Sequence, residues 1–229
     1  MCDNCEKTMN YNPVNGRLQI PFSHNAKVDL ELRLQEAEKH FERFLIAMGL
    51  DIRDPNLSGT ARRVSKMYLT ELFAGRWQEP PEITKFNLPN SSIPHDMQVI
   101  GPITLKSTCS HHFMPIVGQC WIGVLFPKHA TAIPGLSKYA RIVEWFARRP
   151  QIQEQLTEQI KEYLVKKLEL NSEDSGCAVI IKASHGCMTQ RGVNETDCLM
   201  TTSSLHGKFF HDNIKSEFIK LAGIHHGNR

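Results

Sequence analysis

Between Leu30 and Met48 the apolar residues Leu30, Leu34, Ala37, Phe41, Leu45 and Met48 recur at every third or fourth position or close to it, lining one face of an amphipathic helix that Gly49 ends. A second helical stripe runs through Val64, Met67, Tyr68, Leu72 and Phe73, with Ser58 or Thr60 as its cap and Gly75 as a left-handed stop. The pattern then changes period. Met97, Val99, Gly101, Ile103 and Leu105 alternate as a strand does, and Pro102 assigns that strand to an edge or a bulge. A second strand spans residues 116–126, with Cys120, Ile122, Val124 and Phe126 on one face. Helical spacing returns over 138–148 and 152–168, with Pro150 fitting the first turn of the second helix. The β-branched run 177–184 and the segment 200–210 read as strands, and 211–223 as a closing helix with Ile214, Phe218 and Leu221 inward. The order ααββααββα implies an α+β fold, an antiparallel sheet carrying helices on one face.

At 229 residues and 41% hydrophobic content the chain suffices for one substantial domain. Residues 1–27 are polar, hold Pro13, Gly16 and Pro21, and read as a flexible N-terminal arm before a domain over 28–229. A formal net charge of +3 does not call for nucleic acid, though it allows a local basic pocket for a phosphorylated small molecule. No run of about 18 apolar residues is present, and the first residues lack the basic-then-apolar layout of a secretory signal, so a cytoplasmic protein with no membrane partner is expected. Seven cysteines, an odd and scattered set, point to reduced thiols rather than a disulfide framework.

Reduced thiols beside histidines are candidate metal ligands. Cys109-Ser110-His111-His112 lies in the turn between the first two strands, and Ser184-His185-Gly186-Cys187 lies at the end of another. A catalytic zinc takes three protein ligands and leaves a fourth position open, so two Cys and one His would suffice, leaving two imidazoles as proton carriers. An isolated Cys or His is by default a buried core residue, but two clusters matching one metal's ligand preference are not isolated. Gly135-Leu136-Ser137-Lys138-Tyr139-Ala140-Arg141 opens a helix with a hydroxyl, an ammonium and a guanidinium, a set suited to phosphate and also to an ordinary helix start. In Gln151-Ile152-Gln153-Glu154-Gln155 a carboxylate beside an amide could read the amino and lactam edge of guanine. Arg62, Arg63 and Arg191 are by default solvated, and Cys2-x-x-Cys5 is only half of a zinc knuckle.

Taken together, STCSHHFMPIVG, GLSKYARIVEWFARRPQIQEQLT, SHGCMTQRGV and TTSSLHGKFF resemble the GTP cyclohydrolase I family in order and spacing, over about residues 28–222. DPNLSGTARRVSKMYLTELFAG is similar to that family's second helix. The resemblance implies a tunnelling fold (T-fold): a four-stranded antiparallel sheet with helices over 95–222, preceded by a helical pair over 28–76. It further implies a homodecamer with active sites at subunit interfaces. By matching position, Cys109, His112 and Cys187 would bind Zn2+, with His111 and His185 as the acid/base pair and Ser137 assisting at the sugar. Gln153 and Glu154 would hold guanine, and Lys138, Arg141, Arg191 and Arg63 would surround the ribose and triphosphate. The implied reaction turns GTP and water into 7,8-dihydroneopterin triphosphate and formate, the entry to folate and tetrahydrobiopterin.

Three departures from the family pattern stand out. Ser110 replaces a usual Glu next to the metal shell, PKHATAIPGLSK is about two residues longer than expected, and Ala61 stands where Pro is common. Lacking the carboxylate at Ser110 keeps open a same-fold paralogue that stops at purine ring opening or serves 7-deazaguanine synthesis; a zinc- and nucleotide-binding scaffold or regulator without turnover is the alternative of another class.

Overall fold

The computed structural model describes residues 10–12, 17–19, 26–87, 97–128 and 130–224. Cys2, Cys5 and most of the N-terminal arm lie outside the described residues, although Asn10–Asn12 (β1) and Arg17–Gln19 (β2) pair antiparallel. The chain divides into two compact units, Met1–Glu79 and Pro80–Arg229.

In the first unit the predicted helix one is α1, Ala26–Ala47, which buries Leu34 and Leu45; Gly49 follows at φ 79, the left-handed stop the sequence calls for. Met48, beyond the last turn, is exposed. The second helix differs from expectation at both ends. It runs as α2, Thr60–Lys66, then widens into a π-helical stretch, Met67–Leu72. Neither Ser58 nor Thr60 caps it; the N-cap is Gly59, at φ 72. Gly75 sits inside a 3-10 turn, Ala74–Arg76, and is not a left-handed stop.

The second unit is built on a sheet. Its strands are β4 (Gln98–Cys109), β5 (Pro115–Leu125), β7 (Pro150–Gln151), β8 (Gly176–His185) and β9 (Met200–Gly207), in the order β7-β4-β5-β8-β9; a separate pair joins β3 (Lys85–Asn87) to β6 (Ala132–Pro134). The sheet differs from the expected four antiparallel strands: its four long strands are antiparallel, and β7 adds a fifth through a short parallel pairing, Thr108 to Pro150 and Cys109 to Gln151. Pro150 therefore belongs to a strand and not to the helix after it. Pro102 falls where the β4–β5 register shifts, between Ile100 and Ile103, and among the described residues only β7 pairs with the outer edge of β4.

Alternation along the strands sends two different apolar sets to opposite faces. On one face Cys120, Ile122 and Val124 of β5 and Cys177, Val179, Ile181 and Ala183 of β8 meet α3 (Leu136–Ala147) and α4 (Gln153–Leu168), whose Ile142, Val143, Leu156, Ile160 and Leu164 are buried. On the other face Trp121, Leu125, Ala178 and Ile180 meet Phe209 and Phe218, the latter on α6 (Asp212–Leu221). Helices thus cover both faces, where the sequence led us to expect one. The closing helix turns Phe218 inward and Ile214 partly so, but Leu221 is 59% exposed, because Ile219 and Ala222 on either side of it take the positions against the apolar cluster. Ile142→Val removes one buried methylene from the α3 contact and is expected to cost about 1 kcal/mol, read as a lower urea midpoint at unchanged slope.

Among the described residues no helix is long and apolar enough to cross a membrane.

Candidate metal centre and active site

The turn that follows β4 closes on itself. Cys109 donates its backbone N–H to Met114 O at 2.8 Å and accepts from Phe113 N–H at 2.9 Å, with Phe113 held at φ 54. Ser110 N–H donates to Gln151 O at 2.8 Å, so β7 clamps the same turn from outside. A bulky residue at positive φ is uncommon, and here it lets the chain reverse fast enough to bring His112 back over Cys109.

The third ligand comes from just beyond β8. Ile116 pairs with His185 across β5 and β8, and directly beyond it the four-residue helix α5, Gly186–Thr189, carries Cys187. Gly186 has no side chain to lose: a Cβ there would sit 3.1 Å from Pro115 Cδ and 3.2 Å from Pro115 O, so the absence of one brings α5 against the turn. The outcome is a cluster in which the ligand atoms of Cys109, His112 and Cys187 lie within 4.8 Å of one another.

The donor set fits zinc. Tetrahedral Zn–S and Zn–N bonds of about 2.3 and 2.0 Å place neighbouring ligands about 3.5–3.8 Å apart, a small adjustment from this spacing. Burial, then a hydrogen bond with Cys109 and the charge of that neighbouring thiol, push the Cys187 thiol up, and a bound cation would reverse that by favouring the thiolate.

Around the cluster the sequence-predicted residues separate into groups. His111 is exposed, its ring 6.3 Å from that of His112. Arg191 Nη1 lies 2.8 Å from His112 Nε2; a guanidinium only donates and a neutral imidazole has one lone pair, so binding a metal through His112 releases Arg191 from this contact. His185 Nε2 lies 2.8 Å from Gln153 Oε1. Burial pulls the His185 pKa down, against a smaller upward pull from the Glu154 carboxylate. Glu154 itself is exposed on the first turn of α4.

Gln153 is placed differently from the sequence expectation. It has no exposed surface, and its amide is committed to Ile181 O, Met200 O and Thr202 Oγ1 at 3.0–3.1 Å, which leaves Glu154 as the member of the pair that faces solvent. Ser137 and Arg141 are exposed and Lys138 half-buried at the start of α3, and no hydrogen bond or ion pair among the described residues joins them to the cluster. Arg63 lies in the other compact unit, where it donates to Ser58 O at 3.0 Å and Thr60 Oγ1 at 2.9 Å. Arg62 pairs with Glu38 at 3.0 Å. Sequence reasoning missed Thr157 and Thr202, whose hydroxyls meet at 2.6 Å and both bond to Gln153, the partner of His185. The available signal was Thr157 one helical turn after Gln153, a polar residue on an otherwise apolar face.

Two thiols and an imidazole gathered where antiparallel strands end, with a further imidazole at their side, make a candidate metal centre. The sequence model of the GTP cyclohydrolase I family matches residues 37–223. The chain is 36% identical over 208 residues to GTP cyclohydrolase 1 of Flavobacterium johnsoniae, covering 86% of this chain and 89% of that protein. It is 38% identical over 195 residues to the protein of the same name from Actinobacillus pleuropneumoniae serotype 5b, covering 84% and 85%. With GTP cyclohydrolase 1 of Yersinia pestis bv. Antiqua the identity is 38% over 203 residues, covering 88% of each. The chain belongs to the GTP cyclohydrolase I family and is an enzyme of that class.

Proposed function

We propose that this enzyme converts GTP and water into 7,8-dihydroneopterin triphosphate and formate, the first step towards folate or tetrahydrobiopterin. The observation that supports it most is the meeting of Cys109, His112 and Cys187, from two separate strand ends, within 4.8 Å of one another. A zinc ion held by these three side chains would supply Lewis acidity, so that water attacks the purine C8 near neutral pH.

The remaining work falls to the chain's own groups. Burial favours the neutral form of His185, an imidazole able to accept a proton, and His111 is the second proton carrier. Glu154 accepts from the ring N–H and amino group of guanine. Arg191, Lys138 and Arg141 bind phosphate oxygens, Arg191 from the metal side and the other two from the start of α3, with Ser137 at the ribose and Arg63 at the triphosphate. Assembly into a homodecamer with sites between subunits would bring the α3 group of one copy to the cluster of another.

Incubating zinc-loaded protein with GTP tests the reading. Formate and dihydroneopterin triphosphate appearing in equal amounts support it, and neither appearing while zinc stays bound refutes it. Ser110 favours one second reading, since no carboxylate stands next to His111 in this chain. Ring opening alone would leave a formamidopyrimidine with no fluorescent pterin after oxidation. A scaffold without turnover would bind GTP and yield neither. Glu154→Gln is expected to raise KM for GTP about tenfold, because a charge-assisted acceptor becomes a neutral amide; steady-state kinetics against GTP checks this.

A further inference from the structure

The floor beneath His185 contains a hydrogen-bond circuit whose direction can be worked out. Thr157 Oγ1 lies 2.7 Å from the Gln153 carbonyl oxygen, which can only accept, so the Thr157 hydroxyl proton is spent there. In the 2.6 Å contact between Thr157 and Thr202 the donor must then be Thr202. With its proton used, Thr202 Oγ1 faces Gln153 Nε2 at 3.1 Å as an acceptor. Ile181 O and Met200 O, 3.1 and 3.0 Å from the same nitrogen, also only accept. Turning the amide over would set its oxygen against two carbonyls and a hydroxyl that has no proton left. The three contacts therefore hold Gln153 with Nε2 towards the strands and Oε1 towards His185, 2.8 Å from its Nε2.

We infer that Gln153 is a positioning residue: through this one-way ring with Thr157 and Thr202 it holds the proton of neutral His185 on Nε2 and keeps the lone pair on Nδ1. An amide oxygen offers no proton, so the only good contact is one in which the imidazole donates from Nε2. His185 then has a single nitrogen able to take a proton from the reaction, with the ring orientation set by α4 (Gln153, Thr157), β8 (Ile181) and β9 (Met200, Thr202) together. Gln153 does not read the base, because its amide is already committed and it has no exposed surface. Only the place of the proton is fixed in this way; the pH at which the ring titrates is a separate property.

The role of His185 in turnover rests on the proposed reaction, but its tautomer does not, so two measurements separate them. Solid-state 15N spectra of zinc-loaded, histidine-labelled protein, with the His185 signals identified by their loss in His185→Ala, should show a protonated Nε2 and an unprotonated Nδ1. The opposite tautomer overturns the inference. Thr202→Val should reduce kcat about tenfold with KM for GTP within about twofold, and Thr202→Ser, which keeps the hydroxyl, should restore it. Gln153→Met should reduce kcat about 100-fold, again with little change in KM. A Gln153→Met protein with near-normal kcat and a KM raised about tenfold would make Gln153 a base reader and overturn the inference. Wild-type protein that shows the Nε2–H tautomer but does not turn over GTP refutes the proposed function and leaves the Gln153 assignment standing.

Discussion

Cys187→Ser is expected to lose at least about 1,000-fold in turnover and to retain well under one zinc per chain after dialysis, while its unfolding midpoint stays close to that of the metal-free wild type. Loss of a group that merely orients a ligand already costs about 10–100-fold in affinity or activity, and a ligand itself must cost more. The serine hydroxyl is nearly isosteric with the thiol, yet it does not ionise near neutral pH and cannot replace a thiolate in the metal's inner sphere. Cys187 is half-exposed on a four-residue helix, so the substitution disturbs little packing. Cys109→Ser should do the same to zinc but with a larger stability loss, because Cys109 is buried in the main core. The double variant should be no worse than either single one, since both remove the same ion. Metal content and formate release, measured on the same samples, decide the matter. A Cys187→Ser protein that keeps normal turnover without zinc would refute the metal reading.

How much of this site could be read from the sequence differs residue by residue. Cys109, His112 and Cys187 were recoverable because soft ligands next to histidines, in short runs at predicted strand ends, have few other uses. The strands themselves were legible because a change of period from three or four to two is a local signal, and Cys120, Ile122 and Val124 announced their shared face directly. What failed was set by contacts distant in sequence. Gln153 read as a guanine-binding amide beside Glu154, and only the arrival of Met200 and Thr202, 47 and 49 residues later, commits that amide. Leu221 followed the right period, but Ile219 and Ala222 on either side of it take the positions against the Phe209–Phe218 cluster. Pro150 matched a helix start, yet the pairing of Thr108 and Cys109 with residues 150 and 151 took it into the sheet. Gly75 stood at the right distance from the helix, but the widening over Met67–Leu72 used up the turn it would have ended.

The strand spacing behind the site predicts a second large effect. Gly118, in β5, pairs with Ala183 of β8 and Leu105 of β4. A Cβ at Gly118 would lie 2.1 Å from Lys182 O and 2.5 Å from the Ala183 Cα, both backbone atoms, so no side-chain rotation can relieve the clash. The strands must part or slip. Overpacking of a well-filled core costs about 1–3 kcal/mol where side chains can move, so Gly118→Ala should sit at the top of that range or beyond it, about 3–5 kcal/mol. Two residues further along the same pairing, Ile116 meets His185, and Cys187 follows. A forced separation at Gly118 therefore also displaces the β8 half of the metal cluster from the β4 half. The expected result is a much lower urea midpoint together with reduced zinc retention in the fraction still folded, while Gln119→Ala, an exposed change at the next residue, leaves both within error of wild type. If Gly118→Ala keeps its midpoint, the β5–β8 contact has slack that the close approach denies. If it loses stability but folded protein still holds a full complement of zinc, the α5 contact with Pro115, and not the strand register, is what sets the position of Cys187.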